Sequence, residues 1–183
     1  MAMPLPVPTY TTEEIKSWPD DGQRYELLDG ILLVTPSPSS EHQEVLADLL
    51  AAISNYLATA GLARVVGPGA IEVAPRTLLE PDLLVFPSHH PRGTAWADIR
   101  GWWLAVEVFS PGSHRYDRDY KRDAYLALGV AEVWLVDLEE KAVLVSRPEG
   151  PRDVRYTERL TWHPAAMPAP LELDLARLFR GLP

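Results

Sequence analysis

A chain of 183 residues with 46% hydrophobic side chains and a formal charge of −9 is long enough for one domain that buries roughly 70% of the surface its unfolded state exposes. The absence of Cys excludes disulfides and thiolate metal sites and fits a reducing, cytoplasmic compartment. Net acidity excludes non-specific adhesion to nucleic acid over the whole surface, because such adhesion runs on phosphate neutralisation.

The acidity is uneven. Residues 1–90 carry 4 Lys/Arg against 12 Asp/Glu, and residues 91–183 carry 13 against 14, so an anionic partner is expected at the second half. The opening MAMPLPVPTY lacks a basic segment and is broken by Pro4, Pro6 and Pro8. It reads as neither a secretion signal nor a membrane anchor, and no apolar run approaches the roughly 20 residues of a membrane helix.

Thr11 and Glu14 form a capping box that opens a short helix ending before Pro19. Arg24–Leu28 and Ile31–Val34 are expected strands about Asp29-Gly30, a strong hairpin signal. Glu26 is an acid on an apolar strand, read either as an outward residue of the alternation or as part of a site. Beyond the Pro/Ser loop, Ser40 and Gln43 read as a second capping box. The helix they open runs to about Ala60, stops at Gly61, and carries Val45, Leu46, Leu49, Leu50, Ile53 and Leu57 as its apolar stripe. His42 falls in its first turn, where a capping or solvated role competes with a functional one.

Leu62–Val66 and Ala70–Val73 are expected strands around Gly67-Pro68-Gly69. Pro81–Pro87 follows as a short apolar strand with Asp82 at its mouth. Ser88–Arg100 has no clear period and reads as a loop with a short helix near Trp96; His89 and His90, being adjacent, point opposite ways and chelate one ion poorly. Trp102–Phe109 is an apolar, β-branched run with one anomaly, Glu107, whose burial costs several kcal/mol unless a cation pairs with it. A period of two puts Trp103, Ala105, Glu107 and Phe109 on one face and Leu104, Val106 and Val108 on the other.

The next helix, about Arg115–Leu128, ends at Gly129 and carries Asp117, Lys121 and Tyr125 as one stripe. An ammonium is thus borne by the helix that leaves the strand carrying the carboxylate. Arg115, Arg118 and Arg122, on or near the same helix, read either as phosphate contacts or as a solvated face. Glu132–Asp137, Ala142–Ser146 and Val154–Leu160 are expected strands, and a short helix near Asp174–Phe179 follows the Pro-rich segment Pro164–Pro170. One domain over residues 1–183 is expected, with residues 10–147 as its core and residues 148–183 adding a strand and a short helix. Asp82, Glu107 and Lys121 together make the minimum set for a divalent metal beside a charge-stabilising group.

In order along the chain, Arg24-Tyr25-Glu26-Leu27-Leu28-Asp29-Gly30, His42 at a helix start, Pro81-Asp82, Glu107-Val108-Phe109-Ser110-Pro111, Asp117, Lys121, Tyr125, Gly129-Val130 and Trp134-Leu135-Val136-Asp137 resemble the Uma-type restriction endonuclease-like family. That family is assigned to the PD-(D/E)xK nuclease superfamily. The resemblance implies an α/β, restriction-endonuclease-like fold with a mixed central sheet flanked by helices. It also implies Mg²⁺ or Mn²⁺ on Asp82 and Glu107, with the carbonyl of Val108 as a further ligand. DNA is the implied substrate, with Asp82, Glu107 and Lys121 catalytic and Glu26, His42 and Asp117 in support.

The superfamily pattern has a lysine two residues after the acid. Phe109 stands there in this chain, and Lys121 on the following helix is the candidate replacement. The expected function is metal-dependent hydrolysis of DNA phosphodiester bonds, with a homodimer presenting two sites to two antiparallel strands. Net acidity and Phe109 favour the alternative, a catalytically silent binding or assembly protein on the same scaffold.

Overall fold

The computed structural model of the chain describes residues 8–35, 38–109 and 120–182. Its centre is a six-stranded sheet in the order β10-β9-β8-β7-β6-β3, formed by β3 (Ala63–Val66), β6 (Leu83–Pro87), β7 (Leu104–Phe109), β8 (Val133–Asp137), β9 (Ala142–Ser146) and β10 (Val154–Tyr156). The β7–β8 pair is parallel and the other neighbours are antiparallel, so the sheet is mixed as expected. All six residues of β7 are buried, which is why it reads as a nearly unbroken apolar run rather than a half-polar one.

Both faces of the sheet are covered. Helix α2 (Ser40–Ala58) lays Val45, Leu49, Ile53 and Leu57 on the face carrying Leu104, Val106 and Val108. Helix α3 (Arg122–Ala127) lays Tyr125 and Leu126 on the face carrying Ala105 and Phe109. The period of two therefore holds within β7. It does not extend back to Trp103, which packs on the α2 face, because the regular pleat begins only at Leu104. Gly129 takes a φ of 94° after α3, the left-handed conformation of a helix terminator.

A second sheet, in the order β2-β1-β5-β4, joins β1 (Arg24–Leu28), β2 (Ile31–Thr35), β4 (Ile71–Val73) and β5 (Thr77–Leu79), with α1 (Thr12–Lys16) packed near it through Ile15 and Leu27. The hairpin turn has both central residues at positive φ, Asp29 at 53° and Gly30 at 84°, as the expected tight turn requires. Strand β5 is a finding beyond the sequence expectation, since three residues are too few for a period to show. A single turn of 3-10 helix at Trp96–Asp98 stands where a short helix was expected.

The helix cap differs by one residue from the sequence reading. Ser39, not Ser40, is the N-cap of α2, accepting from the amide of His42 at 3.3 Å. Ser39→Ala is expected to cost about 1 kcal/mol in urea denaturation, while Ser40→Ala should be near neutral; equal losses from the two would contradict this cap.

The tail is also built differently. Instead of one strand over Val154–Leu160, the chain breaks at Thr157–Glu158 into β10 and β11 (Arg159–Trp162), and β11 pairs with β12 (Leu171–Asp174) ahead of α4 (Leu175–Leu178). Leu160, Trp162, Leu173, Leu175 and Phe179 belong to the same buried cluster as α2, and the Trp134 and Trp162 rings meet edge to face 5.7 Å apart. Leu160, Trp162, Met167, Leu173, Leu175 and Phe179 thus contribute to the core. No helix among the described residues is long and apolar enough to cross a membrane.

Candidate active site

Of the two acids singled out in sequence, Asp82 directly precedes β6 and Glu107 lies in β7, the neighbour of β6 in the sheet. The β6–β7 register runs to the Leu83–Val106 pair, and just beyond it the Asp82 carboxylate accepts from the amide of Val108, the residue after Glu107. Both are buried, Asp82 at 5% and Glu107 at 3% relative exposure. The turn at Gly67 leans on this strand end closely. A Cβ there would lie 2.8 Å from the Asp82 carbonyl oxygen and 2.7 Å from the Leu83 side chain, so only glycine fits.

Glu107 obtains the cation that its burial demands. Lys121 Nζ donates to its Oε1 at 3.0 Å, and the hydroxyl of Tyr125, one helical turn on, donates to the same oxygen. Lys121 itself is 1% exposed, and the Oε2 of Glu26 also lies 2.8 Å from its Nζ. Glu26 is fully buried, which excludes the outward-facing reading of that residue. Its Oε2 also accepts from Thr35 at 2.9 Å, and its Oε1 accepts from the amide of Glu80 at 2.6 Å. Glu26 therefore ties the second sheet to the site.

Asp82 is held from three directions. Its Oδ2 accepts from the Val108 amide at 2.8 Å and lies 3.5 Å from His42 Nε2, while its Oδ1 accepts from Arg24 at 3.3 Å. Burial alone would raise this carboxyl, but His42, the Val108 amide and Arg24 together hold it below the usual carboxylate range. Burial likewise works against charge on Arg24, and the carboxylates of Glu26, Asp82, Glu107 and Glu80 more than reverse that, so its proton is bound more tightly than usual. Burial raises the half-buried Glu80 above the usual range, with Arg24 offsetting part of the rise.

Of the residues expected from sequence, Glu26, His42, Asp82, Glu107 and Lys121 converge here. Arg122 is engaged elsewhere, donating to Asp153 at 2.7 Å and to Asp123 at 2.9 Å. Asp117, Arg115 and Arg118 lie outside the described residues. Phe109, in the usual lysine position, is 1% exposed and packs in the apolar cluster below α3. Arg24, Thr35 and Glu80 were not singled out in sequence. Arg24 is the first residue of β1 and Glu80 directly follows β5, positions where a charge carries little signal.

The donor chemistry fits a hard divalent cation. Asp82 and Glu107 offer carboxylate oxygens, and Mg²⁺ is usually bound through one or two carboxylates with water and substrate phosphate completing its shell. Among the described residues no group of three or more His, Cys, Asp or Glu side chains is placed to hold a metal by itself.

Residues 12–176 match the model of the Uma2 family, described as "Putative restriction endonuclease". No curated protein matches the chain. Among solved structures, the chain is similar to the crystal structure of a putative nuclease belonging to DUF820 from Anabaena variabilis, with a TM-score of 0.76 and 21% sequence identity, covering 92% of this chain and 97% of that one. The restriction-endonuclease-like α/β fold expected from the sequence is the fold present.

Proposed function

The chain belongs to the Uma2 family, the family of putative restriction endonucleases matched over residues 12–176, and from that membership we propose that it hydrolyses DNA phosphodiester bonds at the cluster of Asp82, Glu107 and Lys121. The observation that carries this reading is the burial of Lys121 against Glu107 and Glu26. A buried ammonium beside two acids is a costly arrangement for mere stability, since an apolar replacement of similar volume is often at least as stable.

Asp82 and Glu107 are the residues that would hold Mg²⁺ or Mn²⁺. The chemistry such an ion supplies when bound is polarisation of a phosphoryl oxygen and acidification of water. The protein's own groups do the rest. Tyr125 and Lys121 both donate to the Oε1 of Glu107 and help fix the orientation of that carboxylate. Lys121 is the group that stabilises charge developing on the phosphoryl oxygens or orients the attacking water. Glu26 holds the same ammonium through its Oε2. His42 and the Val108 amide hold the Oδ2 of Asp82.

The burial of Phe109 where the superfamily has lysine favours a second reading, a silent nuclease scaffold that binds or assembles. The two separate in one experiment. Purified protein is assayed on supercoiled plasmid, linear duplex and single-stranded DNA with Mn²⁺ and Mg²⁺, alongside thermal melting with the same ions. Metal-dependent cleavage is expected, together with a rise in melting temperature, since an ion at 100 times its Kd adds about 2.7 kcal/mol. No cleavage of any form and no shift with either ion would establish the silent reading. Light scattering of the same preparation reads the proposed homodimer, which a monomer at working concentration would remove.

A further inference from the structure

Arg24 is bonded in an unfinished way. A guanidinium offers five N–H groups in a planar fork that suits a two-point contact with a carboxylate or a phosphate. Here one terminal nitrogen reaches a single oxygen of Asp82 at a long 3.3 Å, and the other donates to the backbone carbonyl of Glu80. Among the described residues the buried Nε has no hydrogen-bond partner, and the Glu80 carboxylate lies 3.5 Å from it. The fork is therefore parked end-on against an acid rather than locked onto it.

The same side chain has somewhere to go. It is rooted at the first residue of β1 and is 27% exposed. Beside it lies a cavity of about 380 Å³, lined among others by Lys16, Asp20, Gly22, Gln23, Arg24 and Glu80. Its contact with Asp82 is also one that an incoming divalent cation contests. The other oxygen of Asp82 is already held by His42 and the Val108 amide, so Oδ1 is the oxygen through which a metal would enter. Two cations cannot share it at close range without strong repulsion in a site of low effective dielectric.

We propose that Arg24 is an exchange arm: it neutralises Asp82 while no metal is bound, and when a divalent cation takes Oδ1 it turns toward the open cavity and anchors a backbone phosphate of the DNA. The chemistry matches, because a phosphodiester offers two oxygens to the fork that Asp82 leaves half used. Arg24 is then a substrate-binding residue whose availability depends on metal loading. Metal comes first, and the phosphate anchor is released by it. This inference rests on the metal-dependent nuclease reading given above.

The test uses the full chain and three readouts. In the wild type, phenylglyoxal modification of Arg24, followed by peptide mass mapping, should rise several-fold on adding Mn²⁺. Arg24→Met should bind Mn²⁺ about tenfold more tightly by calorimetry, the competing cation having gone, and Arg24→Lys should stay near the wild type. In Ca²⁺, binding of a fluorescent duplex by Arg24→Met should weaken, with the slope of log affinity against log salt falling by about one, and Arg24→Lys should keep the slope. A purely structural arginine would give weaker or unchanged Mn²⁺ binding in Arg24→Met, an unchanged salt slope, and labelling indifferent to Mn²⁺; any of these overturns the exchange. If the wild type binds Mn²⁺ but Arg24 labelling does not rise, the exchange alone falls. If the wild type takes up neither Mn²⁺ nor Mg²⁺, the metal-dependent reading falls and the exchange with it.

Discussion

Lys121→Met is expected to lose about 3–5 kcal/mol of stability, because it leaves the carboxylates of Glu26 and Glu107 buried without the ammonium between them. A lysine on a solvated helix face would lose less than about 0.5 kcal/mol. Burial to 1% exposure points to the larger loss, and urea denaturation at neutral pH measures the difference. In the nuclease reading the same substitution lowers cleavage on the order of a hundredfold or more. Mn²⁺ affinity should hold or rise, because a cation beside the acids has been removed. Cleavage at the wild-type rate in saturating metal would end the role given to Lys121.

The second large effect is the opposite in kind. Asp82→Asn is expected to abolish the stabilisation of about 2.7 kcal/mol that metal at 100 times its Kd gives the wild type, and to remove cleavage together with it. The amide keeps one oxygen for the Val108 N–H, but it no longer offers negative charge to Arg24 or His42. Loss of activity with retained Mn²⁺ stabilisation would move the metal away from Asp82. Read as a pair, the two variants separate a residue that binds metal from one that acts beside it.

How much of this was legible in the chain depended on contrast. Glu107 stood out because a charge in an apolar strand is an anomaly with an energetic cost, and Lys121 followed because helical spacing carries it on one stripe with Tyr125. Asp82 was marked by the two prolines that delimit its strand. Arg24 and Glu80 carried no such contrast, since each lies at a strand end where charge is ordinary. Their importance comes from contacts that the fold makes, Arg24 reaching Asp82 and the Glu80 amide donating to Glu26. Glu26 showed its anomaly but not its direction, because alternation alone cannot say which face of a two-sheet protein is dry. The cap of α2 was displaced by one residue because Ser39 and Ser40 are chemically identical. Strands β11 and β12 were obscured by brevity and by the prolines between them.

The participation of Leu160, Trp162, Leu173 and Phe179 in the cluster beneath α2 also bears on translation. A ribosome releases α2 early and these residues late, so a nascent chain carries an uncovered apolar face for most of its synthesis. A product stopped before Arg159 still contains each acid and the lysine of the site, yet it lacks the cover over Trp134 and Val143 that the later residues supply. Such a fragment is expected to be held by chaperones or degraded. The order of synthesis thus leaves part of the cover of this core to residues made after every acid of the site and its lysine.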